Sequence, residues 1–323
     1  MILTVTINPL LENRIEIETL SLGKVSRGIK KDQKAGGKGI NVSRQLDYLS
    51  VKNTALLFLG GNNGKQLRKV LIDENINFTS VSSKGETRAA TLAIEKSKNR
   101  ITSIFEPQSK LSENEINEFK TKLIKMIQNC KIVVFSGSVP NKEAASIITY
   151  GIELANELDK ISILDTYGDH LQSCINATPT ILHNNAQEIE SSFNIKLKTQ
   201  QSKINFLKKL YAQGIRLSFI TDGAKPILAS KFDFIYKIES HKINEIDATG
   251  SGDAFVAGIA YGLEKAMVFD EFTKIATALG SINASRWDVC TVILEEIESV
   301  VDSIILKPIG KKFKLINDSP THS

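Results

Sequence analysis

Short apolar runs alternate with longer amphipathic segments along most of the chain. The runs fall at residues 2–7, 54–59, 132–135, 161–164 and 217–221. Such runs are typical of a parallel sheet, because both of its faces are buried. The segments between them repeat apolar residues every three or four positions, which predicts helices on both faces of the sheet. The pattern therefore predicts a three-layer α/β/α fold with a mostly parallel central sheet.

Two stretches do not fit this alternation. Residues 12–33 and 88–106 alternate apolar and polar positions, as Ile15 and Ile17 do with Glu16. This period is typical of half-exposed strands. We therefore expect a small β-sheet lid on the main domain. An exposed sheet of this kind can pair with another sheet edge, so we also expect a homodimer through the lid.

The last third of the chain is predicted to be mostly helical. Apolar spacing predicts helices over residues 253–263, 271–285 and 293–305, and residues 243–246 have the composition of a strand. The sequence has no internal repeat and no long linker. We expect one domain over residues 1–306 and a polar tail over residues 307–323.

Composition narrows the classes of function. The chain has 323 residues, of which 41% are hydrophobic and 24% charged, and a formal net charge of +5. The basic residues are not interleaved with aromatics, as nucleic-acid binding requires. Three scattered cysteines lack metal-ligand spacing and favour a reducing compartment, the cytoplasm. No apolar run reaches the roughly 20 residues of a membrane span. We therefore expect neither nucleic acid nor a membrane as a partner.

The most specific pattern is a glycine-rich loop over residues 247–255, Asp-Ala-Thr-Gly-Ser-Gly-Asp-Ala-Phe, which leads into an apolar helix. Glycines allow a ligand to approach the backbone, and the N–H groups of a helix's first turn bind phosphate. Asp253 lies in that turn, where a carboxylate can accept the proton of an attacking hydroxyl. The alternative is an ordinary turn whose Asp stabilises the helix dipole.

A second glycine loop, residues 35–41, has the sequence Ala-Gly-Gly-Lys-Gly-Ile-Asn. It matches neither the P-loop G-x-x-x-x-G-K-[ST] nor the dinucleotide-binding G-x-G-x-x-G. A tight loop that carries Lys38 and Asn41 suits a hydroxylated, anionic small molecule. The alternative is a surface loop without a ligand.

Together these segments resemble the ribokinase/phosphofructokinase-B family of carbohydrate kinases, and within it the 1-phosphofructokinase and tagatose-6-phosphate kinase branch. The matching segments follow one another in the family's order, at residues 6–12, 36–42, 85–88, 136–140 and 249–255. The resemblance implies a ribokinase-type fold. It also implies an enzyme that uses ATP and Mg²⁺ to phosphorylate a hydroxyl of a sugar phosphate.

The resemblance also assigns roles by position. Asp253 corresponds to the catalytic base, and the backbone of Gly250, Ser251 and Gly252 to the anion hole. The positions that correspond to the nucleotide site are Asn185, Glu188, Thr221, Gly223, Thr249, Gly250 and Gly252, with Mg²⁺ assigned to Asn185 and Glu188. The positions that correspond to the sugar-phosphate site are Glu12, Arg27, Gly37, Lys38, Asn41, Arg88 and Asp253. Three of these residues, Arg27, Lys38 and Arg88, are expected to converge on the substrate's phosphate.

Four departures from the pattern of this branch involve five residues. Glu12 replaces an Asp and Ala90 replaces an Asn, which leaves the identity of the sugar open. His183-Asn184 replaces Lys-Pro, and Pro226 replaces a Gly near the nucleotide. Two alternative functions therefore stay open. One is a kinase of an unphosphorylated sugar or nucleoside, and the other is a catalytically weak sensor of sugar phosphates or nucleotides.

Overall fold

The computed structural model describes residues 1–309, and within them the strands form two sheets. The strands are β1 Ile2–Thr6, β2 Leu10–Ile17, β3 Lys30–Gly36, β4 Asn53–Gly60, β5 Phe78–Ser83, β6 Ala89–Glu95, β7 Arg100–Phe105, β8 Ile132–Ser136, β9 Ile161–Asp165, β10 Ile181–Asn185, β11 Leu217–Asp222, β12 Lys225–Lys231, β13 Phe234–Glu239 and β14 Ile305–Ile309. The helices are α1 Lys38–Tyr48, α2 Gly61–Asp73, α3 Glu113–Gln128, α4 Ser146–Glu157, α5 Leu171–Asn176, α6 Ala186–Phe193, α7 Gln200–Ala212, α8 Ser251–Glu264, α9 Phe269–Ala284 and α10 Leu294–Glu298.

The large sheet has the strand order β14-β13-β12-β11-β10-β9-β8-β1-β4-β5. From β11 to β5 all neighbours are parallel, whereas β11, β12, β13 and β14 are antiparallel to one another. Strands β4 and β5 lie on one side of β1, and the strands from β8 onward are added on its other side, so the strand order reverses at β1. In such sheets a ligand binds beyond the carboxyl ends of the strands, and both predicted glycine loops lie at that edge.

Side chains of each central strand alternate between two cores. In β8, Val133 and Phe135 face one core, while Ile132 and Val134 face the other. Helices α3 to α7 cover the first core, and α1, α8, α9 and α10 cover the second. The predicted three-layer α/β/α architecture is confirmed, and its two buried faces explain why these strands have no polar side.

The lid is the four-stranded sheet β3-β2-β6-β7. It consists of two antiparallel hairpins, β2/β3 and β6/β7, which are joined through the parallel pair β2 and β6. The predicted segments 12–33 and 88–106 contain most of these strands, but β2 begins earlier and β3 ends later. Leu10, Ala90 and Leu92 form a small apolar core within the lid.

Two predictions for the last third of the chain are wrong. The segment 293–305 forms only the short helix α10 and a 3₁₀ turn before β14, which pairs with β13. Its apolar spacing fits a helix, but backbone pairing at the sheet edge prevails because β-propensity depends on context. Residues 243–246 form a loop, not a strand.

The boundary between the domain and the tail also differs from the expectation. Strand β14 continues to Ile309, so the predicted boundary at residue 306 falls inside a strand of the large sheet. The rest of the predicted tail, residues 310–323, lies outside the described residues. Within residues 1–309 no helix has both the length and the apolar character that a membrane crossing requires.

Candidate active site

A cavity of about 960 Å³ lies at the carboxyl edge of the large sheet, next to the lid. Most of the residues predicted for a site line this cavity, although they come from distant parts of the sequence. They are Gly37, Lys38, Asn41, Arg88, Asn185, Glu188, Thr221, Gly223, Thr249, Gly250, Ser251, Gly252 and Asp253. The volume is in the range of about 300–1,000 Å³ that is typical of small-molecule sites.

Asp253 lies in the first turn of α8 and is almost fully buried. Gly250, the residue before this helix, has a φ of 76°, and a side chain there would collide with Val289. One Asp253 oxygen, Oδ2, accepts a 2.8 Å hydrogen bond from Asn41 Nδ2. The Asn41 amide is oriented in turn because its Oδ1 accepts from Arg44 at 2.7 Å.

The pKa of Asp253 is raised to about 7. Burial is the main cause, because it disfavours the charged form. The carboxylates of Asp165 and Glu188 raise this pKa further, whereas Lys38 and the hydrogen bond from Asn41 lower it. A carboxylate with a pKa near neutrality is suited to accept a proton and release it again.

Lys38 connects two sides of the cavity. It begins α1, after Gly37, whose φ of 119° is in a region that favours glycine. Its Nζ donates to Asp165 Oδ1 at 2.9 Å and to Glu188 Oε1 at 2.8 Å. Burial alone would lower the pKa of Lys38, but Asp165, Glu188 and Asp253 outweigh burial and raise this pKa. Lys38 is therefore a charged lysine whose charge is balanced within the protein.

Asp165, which the sequence analysis missed, is the centre of this cluster. It ends β9, is completely buried, and accepts from Ser136 Oγ at 2.6 Å and from Lys38. His183 Nδ1 lies 3.1 Å from its Oδ1, and His183 Nε2 lies 3.3 Å from Thr221 Oγ1. Burial alone would raise the pKa of Asp165, but Lys38, His183 and Ser136 hold it below its usual value.

The proposed metal-binding pair Asn185 and Glu188 forms the capping box of α6. Asn185 Oδ1 accepts from the Glu188 backbone N–H at 2.8 Å, and Glu188 Oε2 accepts from the Asn185 N–H at 3.0 Å. The capping box fixes the Glu188 side chain at the cavity wall, where its other oxygen contacts Lys38. Asn185 and Glu188 thus cap the N-terminus of α6 and also line the cavity.

The structure does not bring Glu12 and Arg27 to the large cavity. The Glu12 carboxylate pairs with Arg14 at 3.0 Å and lines a separate small cavity, which it shares with Asn41. Arg27 lies in the exposed connection between β2 and β3. The expected convergence of Arg27, Lys38 and Arg88 is therefore not present, since Lys38 also points to two carboxylates.

Arg88 is the member of that trio that faces the cavity without a counter-ion. It donates from Nη2 to the Asn8 carbonyl at 3.1 Å, and its guanidinium lies 5.8 Å from the centre of the Phe105 ring. Its buried Nε has no hydrogen-bond partner within residues 1–309. Arg88 pairs with no carboxylate of these residues, so its charge and a donor remain available to an anion.

The sequence contained partial indications of the missed residues. Asp165 is an acidic residue at the carboxyl end of a buried strand, β9, and Ser136 is the last residue of the neighbouring strand β8. Such positions meet at the ligand-binding edge of a parallel sheet. Tyr167, two residues after Asp165, also lines the cavity. No spacing rule links these residues, because they meet only through the strand order.

Comparison with known proteins identifies the family of this chain. Residues 12–295 match the family described as pfkB family carbohydrate kinase, which is most of the chain. The chain belongs to the pfkB family of carbohydrate kinases. It is an ATP-dependent sugar kinase on this basis, and the resemblance in sequence is confirmed.

Two relatives of this carbohydrate kinase have similar lengths. The tagatose-6-phosphate kinase of Staphylococcus epidermidis is 31% identical over 290 residues, which cover 88% of this chain and 92% of the relative. The 1-phosphofructokinase of Borreliella burgdorferi is 31% identical over 295 residues, which cover 90% of this chain and 94% of the relative. The branch expected from the sequence therefore agrees with these relatives.

Solved structures support the same fold. A possible 1-phosphofructokinase from Thermotoga maritima superposes with a TM-score of 0.87 at 26% identity, over 96% of this chain and all of that one. Phosphofructokinase-2 from Escherichia coli gives a TM-score of 0.87 at 20% identity, over 94% of this chain and 98% of that one. The second comparison supports the fold alone. The ribokinase-like fold with its small lid sheet is thus confirmed.

The raised pKa of Asp253 predicts a specific dependence of stability on pH. Between about pH 4 and pH 7 the folded kinase retains a proton that the unfolded chain has released, so this group makes the protein less stable as pH rises. The Asp253→Asn variant lacks that proton. Its free energy of unfolding relative to the wild type should therefore increase by on the order of 2–3 kcal/mol from pH 5 to pH 8.

Chemical denaturation of both proteins at the two pH values measures this difference. Asp47→Asn is a control carboxyl group outside the cavity, whose pKa is raised by burial to about 6. It should show a smaller increase, because its shift is smaller. A difference between Asp253→Asn and the wild type that is the same at both pH values would contradict the raised pKa of Asp253.

Proposed function

We propose that this carbohydrate kinase transfers the γ-phosphoryl group of ATP to a hydroxyl of a sugar phosphate, which gives a sugar bisphosphate. One observation carries the proposal. A buried carboxyl group, Asp253, lies at a helix N-terminus in the same cavity as an unpaired cation, Arg88, and the carboxylates that bind Lys38. The named activities of the two relatives, both sugar-phosphate kinases, support the choice of substrate.

In this proposal Asp253 is the general base. It accepts the proton of the sugar hydroxyl as that hydroxyl attacks the γ-phosphorus, while the bond to ADP breaks. The Asn41 hydrogen bond holds the carboxylate so that its other oxygen can face the substrate. Positioning and electrostatics supply most of the catalysis of phosphoryl transfer.

The N-terminus of α8 is proposed to stabilise the transferring phosphoryl group. The Ser251 N–H is already engaged, because it donates to the Ala248 carbonyl at 3.1 Å. The N–H groups of Gly252 and Asp253 belong to the first turn, where helix geometry provides no intrahelical partner. These two amides are therefore better donors to the phosphoryl oxygens than the Ser251 amide predicted from the sequence.

The nucleotide is proposed to lie along the loops after β10 and β11. Thr221, Gly223 and Thr249 line this part of the cavity, and Pro226 and Ile227 provide an apolar wall for the base. No group of three or more His, Cys, Asp or Glu side chains in residues 1–309 forms a metal site by itself. Mg²⁺ in kinases is commonly held by one or two carboxylates together with substrate phosphates.

The residues present fit such a metal. Three carboxylates, Asp165, Glu188 and Asp253, surround one ammonium group, so the cluster can accept further positive charge. Glu188 with Asn185 would hold Mg²⁺ against the nucleotide phosphates. Bound there, Mg²⁺ would neutralise negative charge on those phosphates.

A kinase of an unphosphorylated sugar is the second candidate. The observation that favours it is the placement of Arg27 in an exposed loop and of Lys38 on two carboxylates. Only Arg88 then remains from the predicted trio of cations. A weak sensor is less well supported, because the base and the helix N-terminus are both in place.

The lid is also proposed to join two copies of the chain. Five apolar side chains on its strands and connections are more than half exposed, namely Leu22, Val25, Ile29, Ile104 and Phe105. Exposed apolar surface of this kind is typical of protein interfaces. Pairing through the lid would cover this surface, including Phe105, which also lines the cavity beside Arg88.

A coupled assay of ADP release tests the proposed reaction. The panel contains tagatose 6-phosphate, fructose 1-phosphate, the two free sugars and a nucleoside, each with and without excess EDTA. Turnover is expected with a sugar phosphate and is expected to disappear in EDTA. Asp253→Asn should bind ATP yet lose roughly 10²–10⁴-fold in turnover, because a general base contributes about that much. Turnover with free sugars but with no sugar phosphate would contradict the proposal.

Arg88 is expected to bind the phosphate of the substrate. Arg88→Ala should raise the KM for the sugar phosphate by about 10- to 100-fold, since a hydrogen bond to a charged group contributes roughly 1.5–3 kcal/mol. The KM for ATP should stay within about twofold. Arg68→Ala removes an exposed arginine of α2 that does not line the cavity, and it is the control. An unchanged KM for the sugar phosphate in Arg88→Ala would favour the kinase of an unphosphorylated sugar.

A further inference from the structure

Tyr167 lines the same cavity as the two cations Lys38 and Arg88. It follows β9 and is 37% exposed, and it lines the cavity together with Arg88 and Ser138. The ammonium of Lys38 lies 5.6 Å from the centre of its ring. Nothing in the sequence pattern assigned a role to this residue.

The backbone around Tyr167 is fixed by hydrogen bonds on both sides. Thr166 Oγ1 donates to the Gly137 carbonyl at 2.7 Å, and the Thr166 carbonyl accepts from Asn184 Nδ2 at 2.6 Å. On the other side, the Gly168 N–H donates to Ser192 Oγ at 2.8 Å. The loop thus presents the Tyr167 ring to the cavity from a held backbone, which lowers the entropy that a ligand contact would cost.

The charge distribution leaves a donor position open beside Arg88. Lys38 is balanced by Asp165 and Glu188, so it contributes little net positive charge to a second anion. Arg88 has no such partner among residues 1–309. Burial lowers the pKa of Arg88, and a negative charge on Tyr167, which only its ionised form carries, would oppose that shift.

One guanidinium group is a small complement for a phosphate that carries close to two negative charges. Additional neutral donors are needed, and a tyrosine hydroxyl is one. An aromatic ring also offers an apolar face to the carbon skeleton of a sugar, while its hydroxyl remains able to reach a polar group. Tyr167 combines both properties at the end of the cavity where Arg88 lies.

We propose that Tyr167 is a specificity-determining residue for the sugar phosphate, and that its hydroxyl donates a hydrogen bond to the phosphate group bound by Arg88. This inference rests on the proposed function, because it requires a phosphorylated substrate. It assigns the discrimination between a sugar phosphate and the free sugar to a pair of residues, Arg88 and Tyr167, in place of the trio of cations expected from the sequence.

The test is the Tyr167→Phe variant, which removes the hydroxyl and keeps the ring. The substrate is the sugar phosphate that the wild type phosphorylates, and KM and kcat are measured for it and for ATP. The KM for the sugar phosphate should rise by about 10- to 100-fold, as for the loss of one hydrogen bond to a charged group. The KM for ATP should stay within about twofold, and the preference over the free sugar should decrease. Tyr211→Phe is the matched control, because Tyr211 is similarly exposed at 39% but lies on α7, away from the cavity.

The outcomes separate this inference from the proposed function. If the wild type uses a sugar phosphate and Tyr167→Phe has wild-type KM values, the role of Tyr167 is wrong and the proposed function stands. If the wild type phosphorylates free sugars but no sugar phosphate, both are wrong.

A calorimetric titration of each protein with the sugar phosphate in the absence of ATP provides a second readout. It should show weaker binding by Tyr167→Phe with unchanged binding by Tyr211→Phe, and equal binding by both variants would overturn the inference.

Discussion

The double ion pair of Lys38 is the interaction on which the site depends. Lys38 begins α1 after the first glycine loop, and its ammonium binds Asp165 at the end of β9 and Glu188 in the first turn of α6. These three elements are far apart in the sequence and meet only at the carboxyl edge of the sheet. Ion pairs between mostly buried side chains are sensitive to geometry, because a charged group that loses its partner there is left desolvated at a large cost in free energy. The ion pairs therefore hold the start of α1, the end of β9 and the start of α6 at a fixed separation.

The same cluster sets the electrostatics of the proposed reaction. Burial and the neighbouring carboxylates raise the pKa of Asp253, while Lys38 keeps the cluster from being more negative still. Because Lys38 is already paired, it cannot also be a free phosphate anchor at the lid side. In the proposed function, recognition of a substrate phosphate then depends on Arg88 and the neutral groups around it. One part of the cavity is thus acidic and suits a metal ion, and another part contains an unpaired cation. This division suits the transfer of a phosphoryl group between two phosphorylated molecules.

The sequence was sufficient for the fold class and for most of the cavity. Buried parallel strands are apolar on both faces, so their runs are easy to recognise, and the two glycine loops carried Lys38, Asn41 and Asp253. The sequence was not sufficient where tertiary pairing decides. The apolar spacing of residues 293–305 fits a helix, but only α10 is helical, and the last residue of the segment, Ile305, begins β14, which pairs with β13. Likewise, Asp165 is a single acidic residue after a strand, and the strand order alone brings it to Lys38. The Glu12 carboxylate is drawn to Arg14, two residues away on the same face of β2, which the family pattern did not reveal.

A double-mutant cycle on Lys38 and Asp165 tests the central interaction most directly. The free energies of unfolding of the wild type, Lys38→Met, Asp165→Asn and the double variant are measured by chemical denaturation. Lys38→Met leaves the buried Asp165 carboxylate without its ammonium partner, and Asp165→Asn leaves Lys38 with Glu188 alone. The double variant should therefore lose less stability than the sum of the singles, by roughly 1–3 kcal/mol. Additivity within about 0.5 kcal/mol would contradict the account, because the two side chains would then not be coupled.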